Sequence, residues 1–286
     1  MKFLIKYFLP SFAVTLIGAI LVYYIIGFNK TAALAPGSLY PFLKFMYLNS
    51  GWIFSLAIII AFLGASYYSF RKLNLVSAST ESPFTISLIY FLKPILFFSI
   101  LCSLFMLYLN FYLTPGMNHE IKILFKISSY EKQNREIPDQ SFLDGLPKNE
   151  RNMTYTELIH TIEQTEQKVE SLSKPELQHH FQKTIRINYS EIIKRILLSF
   201  NCFVFSLVGI ALSLLIRKHF VISIFILLGI YNIYFLILNF IIKAIVFFEY
   251  SYILLSIPPL LLLLPSICII IIKNKKLVST NAELVV

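Results

Sequence analysis

Apolar residues occur in six long blocks, near residues 9–28, 50–70, 88–113, 196–216, 220–242 and 250–272. Each is close to the roughly 20 residues that a helix needs to cross the hydrocarbon core. Residues 114–190 interrupt the series with a polar stretch. The pattern therefore predicts an all-α polytopic membrane protein of six transmembrane helices, three before a small extracytoplasmic insert and three after it. The domains follow as residues 1–113, 114–190 and 191–286, and an even number of crossings puts both termini on one side.

The polar stretch reads as helix. Thr114-Pro115-Gly116 is expected to close the third span, and the segment from His119 has a mixed helical pattern. Residues 139–152 are loop-like, with Gly145 and Pro147. In MTYTELIHTIEQTEQKVESL, from Met153, Thr154 or Thr156 can cap a helix in which Leu158, Ile162 and Val169 recur at helical spacing. A last helix from about Pro175 is expected to continue through Phe181, Ile185 and Ile192 into the fourth span. The loop at residues 71–94 is short, and Pro83 after Ser82 suits the start of a brief helix. Nothing in the insert reads as a strand-rich block.

Composition agrees: 57% of the residues are hydrophobic and 14% charged, too apolar for a soluble domain of 286 residues. Charge then sets the orientation. Lys2, Lys6, Arg71, Lys72, Lys93, Arg217, Lys218, Lys273, Lys275 and Lys276 fall at one face, against Lys30, Lys44 and Lys243 at the other. That asymmetry predicts that both termini are cytoplasmic. The net charge of +10 comes mainly from these helix ends, which argues against nucleic acid as partner. The first apolar run is too long for the core of a cleaved signal peptide, and Pro36 follows the Ala33-Leu34-Ala35 site that mimics one, so it is expected to remain a span.

Catalytic patterns are sparse. There is no GxxxxGK[ST] loop, so any nucleotide is expected to be hydrolysed by a different chain. The five histidines show no HxxxH or HExxH arrangement, and Cys102, Cys202 and Cys268 sit in three different spans. The spans hold almost no ionisable groups, with Lys243 and Glu249 at helix ends, which disfavours an intramembrane enzyme or proton relay. We expect a non-enzymatic subunit with no cofactor and no metal.

Other positions suggest packing or ligand contact. Ser199, Cys202, Ser206, Gly209 and Ser213 form one stripe of small residues on the fourth span, suited to helix packing within the bundle or to a subunit interface. A weaker stripe in the first span comprises Ser11, Thr15, Gly18 and Val22. Asn232 and Asn239 lie seven residues apart on one face of the fifth span, placed to line a cavity or to bond a neighbouring helix. Lys30 and Lys44, at the outer ends of the first two spans, can meet an anionic lipid headgroup or serve as interfacial anchors.

The fourth span also carries a resemblance. Its collar, Glu191, Lys194 and Arg195, followed by Cys202, Phe205, Leu207, Gly209 and Leu212, resembles the corresponding stretch of LptF and LptG, the lipopolysaccharide export permeases. Ala211 stands where that family usually has Pro, and Ser213 where it usually has Gly. MTYTELIHTIE is similar to the family's helix before the fourth span and KYFLPSF to its opening, while Arg71-Lys72-Leu73 and Pro94 match the ends of its first cytoplasmic loop. The resemblance covers most of the chain.

It implies a subunit that pairs with a second LptF/LptG-type permease around a lipid-binding cavity. The pair would be driven by a cytoplasmic ABC ATPase dimer of the LptB type and would pass lipid to a periplasmic bridge protein of the LptC/LptA type. ATPase coupling would fall on Arg71, Ser77 and Glu81; Ser77 occupies the family's acidic position, and Glu81 lies one helical turn later. The insert is too short for the family's β-jellyroll, so this chain resembles a reduced member. A different class stays open: a non-transporting structural or regulatory membrane subunit whose insert recruits a periplasmic partner.

Overall fold

The computed structural model describes residues 4–31, 39–79, 88–133, 139–171, 175–216, 220–248 and 252–283, and among them there are helices and no strand. A π-helical turn, Leu4–Phe8, leads into α1 (Leu9–Thr31), and α2 follows at Leu39–Ser79. Next come α3 (Leu88–Tyr108), a second π turn (Leu109–Leu113) and α4 (Thr114–Lys132). Shorter elements are α5 (Gln140–Asp144), a 3₁₀ turn (Glu150–Asn152) and α6 (Tyr155–Ser171). The last three long helices are α7 (Pro175–Leu215), α8 (Phe220–Phe248) and, after a 3₁₀ turn at Tyr252–Ser256, α9 (Ile257–Glu283). Among the described residues six helices are long and apolar enough to cross a membrane, and the described structure is that of an all-α, multi-pass membrane protein.

Two expectations about helix ends need correction. Thr114-Pro115-Gly116 does not end the helix: α3, the π turn and α4 run on to Lys132 without a break. A proline inside a helix removes one backbone bond and crowds the carbonyl four residues back. Here the helix widens just before Pro115, and the Thr114 N–H donates to the Leu109 carbonyl, a spacing of five. The expected loop at 71–94 is also shorter, since α2 continues through Arg71 to Ser79 and α3 resumes at Leu88. The brief helix expected at Pro83 lies outside the described residues.

Helix α7 is continuous over 41 residues, as the register of Phe181, Ile185 and Ile192 predicts. Pro175 starts it where a proline costs no intrahelical bond. It packs against α2, α3, α6, α8 and α9 and so forms the axis of the molecule. Phe205, Val204, Ile210, Phe62, Ile59 and Ala65 are fully buried along it.

The stripe of small residues makes this packing possible. Ser199, Cys202, Ser206, Gly209 and Ser213 are all buried inside the chain. Gly209 lies against α2 so closely that a Cβ there would stand 2.5 Å from the Leu63 carbonyl oxygen and 3.0 Å from Ser66 Cβ. The stripe thus serves contact within one chain. Its hydroxyls turn back onto their own helix, Ser206 to Phe203 and Ser213 to Ile210, so they cross the apolar interior without stranding a donor.

The weaker stripe on α1 divides. Thr15 contacts Gly64 of α2, whereas Gly18 has open space beside it and Val22 is exposed. Apolar side chains on the outer faces of α1, α3, α8 and α9, such as Val14, Phe97, Leu236 and Leu261, are more than half exposed, as side chains that meet lipid are.

Outside the spans, α6 caps one end of the bundle. Leu158 and Ile162 pack with Phe111 and Ile192 in a small second core. Thr154 is the cap: its Oγ1 accepts from the Glu157 N–H at 3.4 Å, and Glu157 Oε2 accepts from the Thr154 N–H at 2.7 Å. This reciprocal pair satisfies two donors that a helix start leaves without intrahelical partners.

Candidate functional site

The α6 end of the bundle contains a cavity of about 630 Å³, within the roughly 300–1,000 Å³ usual for ligand sites. Tyr23 of α1, Asn49 and Trp52 of α2, and Asn110 in the π turn contribute to its wall. Thr114, Pro115 and Asn118 of α4 and the 3₁₀ residues Arg151 and Asn152 add to it, together with Glu191, Lys194, Arg195 and Leu198 of α7. The α8 side is Tyr231, Asn232, Phe235, Leu238 and Asn239.

The collar of α7 makes the polar wall. Arg195 is only 4% exposed. Its Nε donates to Glu191 Oε1 at 3.2 Å, Nη1 to the Met153 carbonyl at 2.7 Å, and Nη2 to the Glu150 carbonyl at 2.9 Å. One guanidinium therefore ties the span to the segment that precedes α6, using the fork geometry that an ammonium lacks. Its plane also lies 5.9 Å from the Phe111 ring centroid. Glu191 accepts from Lys194 as well, at 3.1 Å, so both cations of the collar are paired with the same carboxylate.

Below the collar a buried polar chain fixes three helices. Asn110 Nδ2 donates to Ser199 Oγ at 3.2 Å, Ser199 Oγ donates to the Arg195 carbonyl at 2.9 Å, and Ser55 Oγ lies 3.0 Å from Asn110 Oδ1. The π turn brings Asn110 to this position between α2 and α7. Buried polar side chains are tolerated when partnered in this way. Thr114 differs: it is 7% exposed, lines the cavity, and its Oγ1 has no hydrogen-bond partner.

Aromatic groups complete the wall. Tyr23 and Tyr231 meet hydroxyl to hydroxyl at 3.0 Å and join α1 to α8. Trp52 sits edge-on to Tyr23 at 6.1 Å, and Tyr231 lies 4.7 Å from Phe235. Nearby, the Tyr234 hydroxyl donates to Asn201 Oδ1 at 2.6 Å and locks α8 to α7.

No protein-family model, curated protein or solved structure matches this chain. The reading of the site rests on its own residues.

Among the positions singled out in the sequence, the cavity gathers Glu191, Lys194, Arg195, Asn232 and Asn239. Asn232 donates to the Leu228 carbonyl of its own helix at 2.8 Å, so the asparagine face of α8 lines a cavity. Lys44 lies in an early turn of α2 and is not among the residues that line the cavity; Lys30 falls in the last turn of α1, and its side chain lies outside what the structure describes. Arg71 and Ser77 belong to the far part of α2, and Glu81 lies outside the described residues.

Four asparagines, Asn49, Asn110, Asn118 and Asn152, together with Trp52, were not singled out as candidates. Their signal was present: carboxamides recur near the same end of several apolar helices, where each has a desolvation cost unless it meets a partner or water.

Proposed function

We propose that this chain is a membrane permease subunit of an ABC exporter that draws lipopolysaccharide or a related lipid out of the bacterial inner membrane for transport to the outer membrane. Three spans, a helical periplasmic insert and three further spans form one half-transporter with both termini cytoplasmic. The observation that carries the reading is the cavity beneath the collar. A polar chamber with an aromatic wall inside an apolar bundle can hold an amphiphile's headgroup while the bilayer-facing helices retain its chains. The same collar, Glu191, Lys194 and Arg195, bears the resemblance to LptF and LptG.

In this mechanism ATP is hydrolysed on a separate ATPase dimer of the LptB type, and the end of α2 around Arg71 and Ser77, with Glu81 beyond it, receives the stroke. Closure against a second permease of the same type would narrow the lipid site and expel its occupant outward, toward a bridge protein of the LptC/LptA type. Lys30 and Lys44 would hold an anionic headgroup near the outer surface. The insert would guide the lipid without a jellyroll, using the rigid upper half of α7 and α6.

The test is photocrosslinking in native membranes from probes replacing Trp52 and Asn239 in the cavity, compared with probes replacing Leu236 and Phe225, which are 70% exposed on the lipid-facing side of α8. The expected result is capture of one lipid class at the cavity positions, changing when the ATPase is inactivated, with mixed bulk lipid at the outer positions. Identical capture at all four, insensitive to ATP hydrolysis, would overturn the transport reading.

A further inference from the structure

We propose that residues 146–152 are a flap over the insert end of the cavity, hinged on Arg195 and latched to α4 by Lys122 and Asn118. The flap opens and closes the cavity toward the insert side, whatever the cavity holds.

The position of the segment carries the proposal. Between α5 and α6 the chain crosses from α4 to α7; both helices line the cavity, and so do Arg151 and Asn152 of the crossing segment itself. On the α4 side, Lys122 Nζ donates to the Pro147 carbonyl at 2.5 Å and Asn118 Nδ2 to the Arg151 carbonyl at 3.4 Å. On the α7 side, Arg195 holds three carbonyls, Met153 at 2.7 Å, Glu150 at 2.9 Å and Arg151 at 3.3 Å. The segment therefore spans the gap between two cavity walls.

The two edges differ in strength. Arg195 is buried, and a buried guanidinium that lost its carbonyls would be left with an uncompensated desolvation cost. The α4 edge lies at the surface, where water can replace each bond. The neighbouring Lys148–Glu157 ion pair is also weak, since its side chains are 38% and 40% exposed. Within the segment the backbone forms only a 3₁₀ turn, in which the Asn152 N–H donates to the Asn149 carbonyl at 2.9 Å. Both ends are fixed, by the buried Leu143 before it and by the Thr154–Glu157 pair after it. A short segment pinned at its ends and at Arg195 opens along its weak edge, where surface bonds are all that hold it. Arg151, an exposed cation on the cavity wall, moves with it.

Trp52 lines the cavity and is the only tryptophan in the chain, so its quenching by iodide reports aqueous access to the cavity. The full chain is placed in nanodiscs, whose bilayer keeps the anion from helix faces outside the cavity. With the three native cysteines replaced by alanine, Asn118→Cys and Arg151→Cys are bridged by a short bis-methanethiosulfonate reagent. The bridge is verified by mass and removed with dithiothreitol. The expected quenching constant is at least about twofold lower with the bridge than after its removal from the same protein. Lys122→Met combined with Lys148→Met should raise the constant about threefold over the parent, the order of effect that losing two surface ties has on the open fraction. Removing two cations would by itself lower the iodide concentration near the mouth, so a rise reports opening.

Equal quenching with and without the bridge, or no rise in the double methionine variant, would overturn the flap. If lipid is still captured from Trp52 and Asn239, that result leaves transport standing. Quenching that follows the bridge without any lipid capture would support the flap and overturn transport.

Discussion

Gly209→Ala tests whether α7 and α2 meet backbone to backbone. The added Cβ would lie 2.5 Å from the Leu63 carbonyl oxygen, 3.0 Å from Ser66 Cβ and 3.0 Å from the Tyr67 nitrogen. Two of these atoms are backbone, so no rotamer change relieves the contact. The helices must part by somewhat under 1 Å, a gap that forfeits about a quarter to a half of the dispersion attraction along the opened face. Overpacking of this kind costs about 1–3 kcal/mol, and a backbone obstacle puts this site near the upper figure. At about 2–4 °C per kcal/mol, the expected drop in Tm is about 5–10 °C, measured by thermal unfolding of the detergent-purified protein. Gly229→Ala on α8, with nothing within 4 Å of its Cβ position, is the control and should be neutral or slightly stabilising. Adding Ser66→Gly should not restore Gly209→Ala, because the shortest contact is to a carbonyl. A Gly209→Ala protein that melts with the control, or one rescued by Ser66→Gly, would refute the backbone contact.

Four other outcomes follow from the same geometry. Arg195→Ala should cost about 3 kcal/mol by leaving the Met153 and Glu150 carbonyls without their donor and Glu191 with Lys194 alone, and limited proteolysis at residues 145–153 should accelerate; Arg195→Lys should not restore protection. With the three native cysteines replaced by alanine, Asn239→Cys should react with a membrane-impermeant thiol reagent added from the insert side, and Leu236→Cys should not. No reaction at Asn239→Cys would refute a hydrated cavity, and reaction at Leu236→Cys as fast as at Asn239→Cys would refute its place on the lipid-facing side. Thr154→Ala should destabilise α6 by about 1 kcal/mol, read as faster cleavage of residues 155–171 at neutral pH. Burial works to raise the Glu157 carboxyl, but the bonds from Lys148 and Thr154 outweigh it and hold the group below the usual carboxylate range. Its contribution is therefore present above the unfolded value of about 4.3 and lost as pH falls through the lower folded value, so protection of α6 should decline on acidification below about pH 4.

Much of the fold was legible because membrane crossing is a length and polarity constraint. Each span must supply its own backbone bonds and about 20 apolar residues, and both requirements are written locally. The continuity of α7 was legible for the same reason, since Phe181, Ile185 and Ile192 keep one helical register across the polar boundary. The helix break expected at Thr114-Pro115-Gly116 does not occur, although Pro115 and Gly116 carry a strong local stop signal. A π turn ahead of the proline overrides it, and the packing of Asn110 between α2 and α7 holds that turn in place.

The site was only partly readable. Glu191, Lys194 and Arg195 stood out as charges at a span boundary, and Asn232 and Asn239 as polar positions on an apolar helix. Their convergence with Asn49, Trp52, Asn110, Thr114 and Asn118 could not be read along the chain, because these residues are distant in sequence and meet through the rotation of each helix about its axis. Nor did the small-residue stripe reveal its partner: a helix face that permits close approach suits any backbone of matching shape. Gly209 against Leu63 gives that partner as α2 of the same chain. Hydrophobic periodicity and helix propensity act within a few turns and made the elements predictable. Crossing geometry, the pairing of buried polar groups and the shape of the cavity depend on contacts between helices far apart in sequence, and those were set only by the tertiary structure.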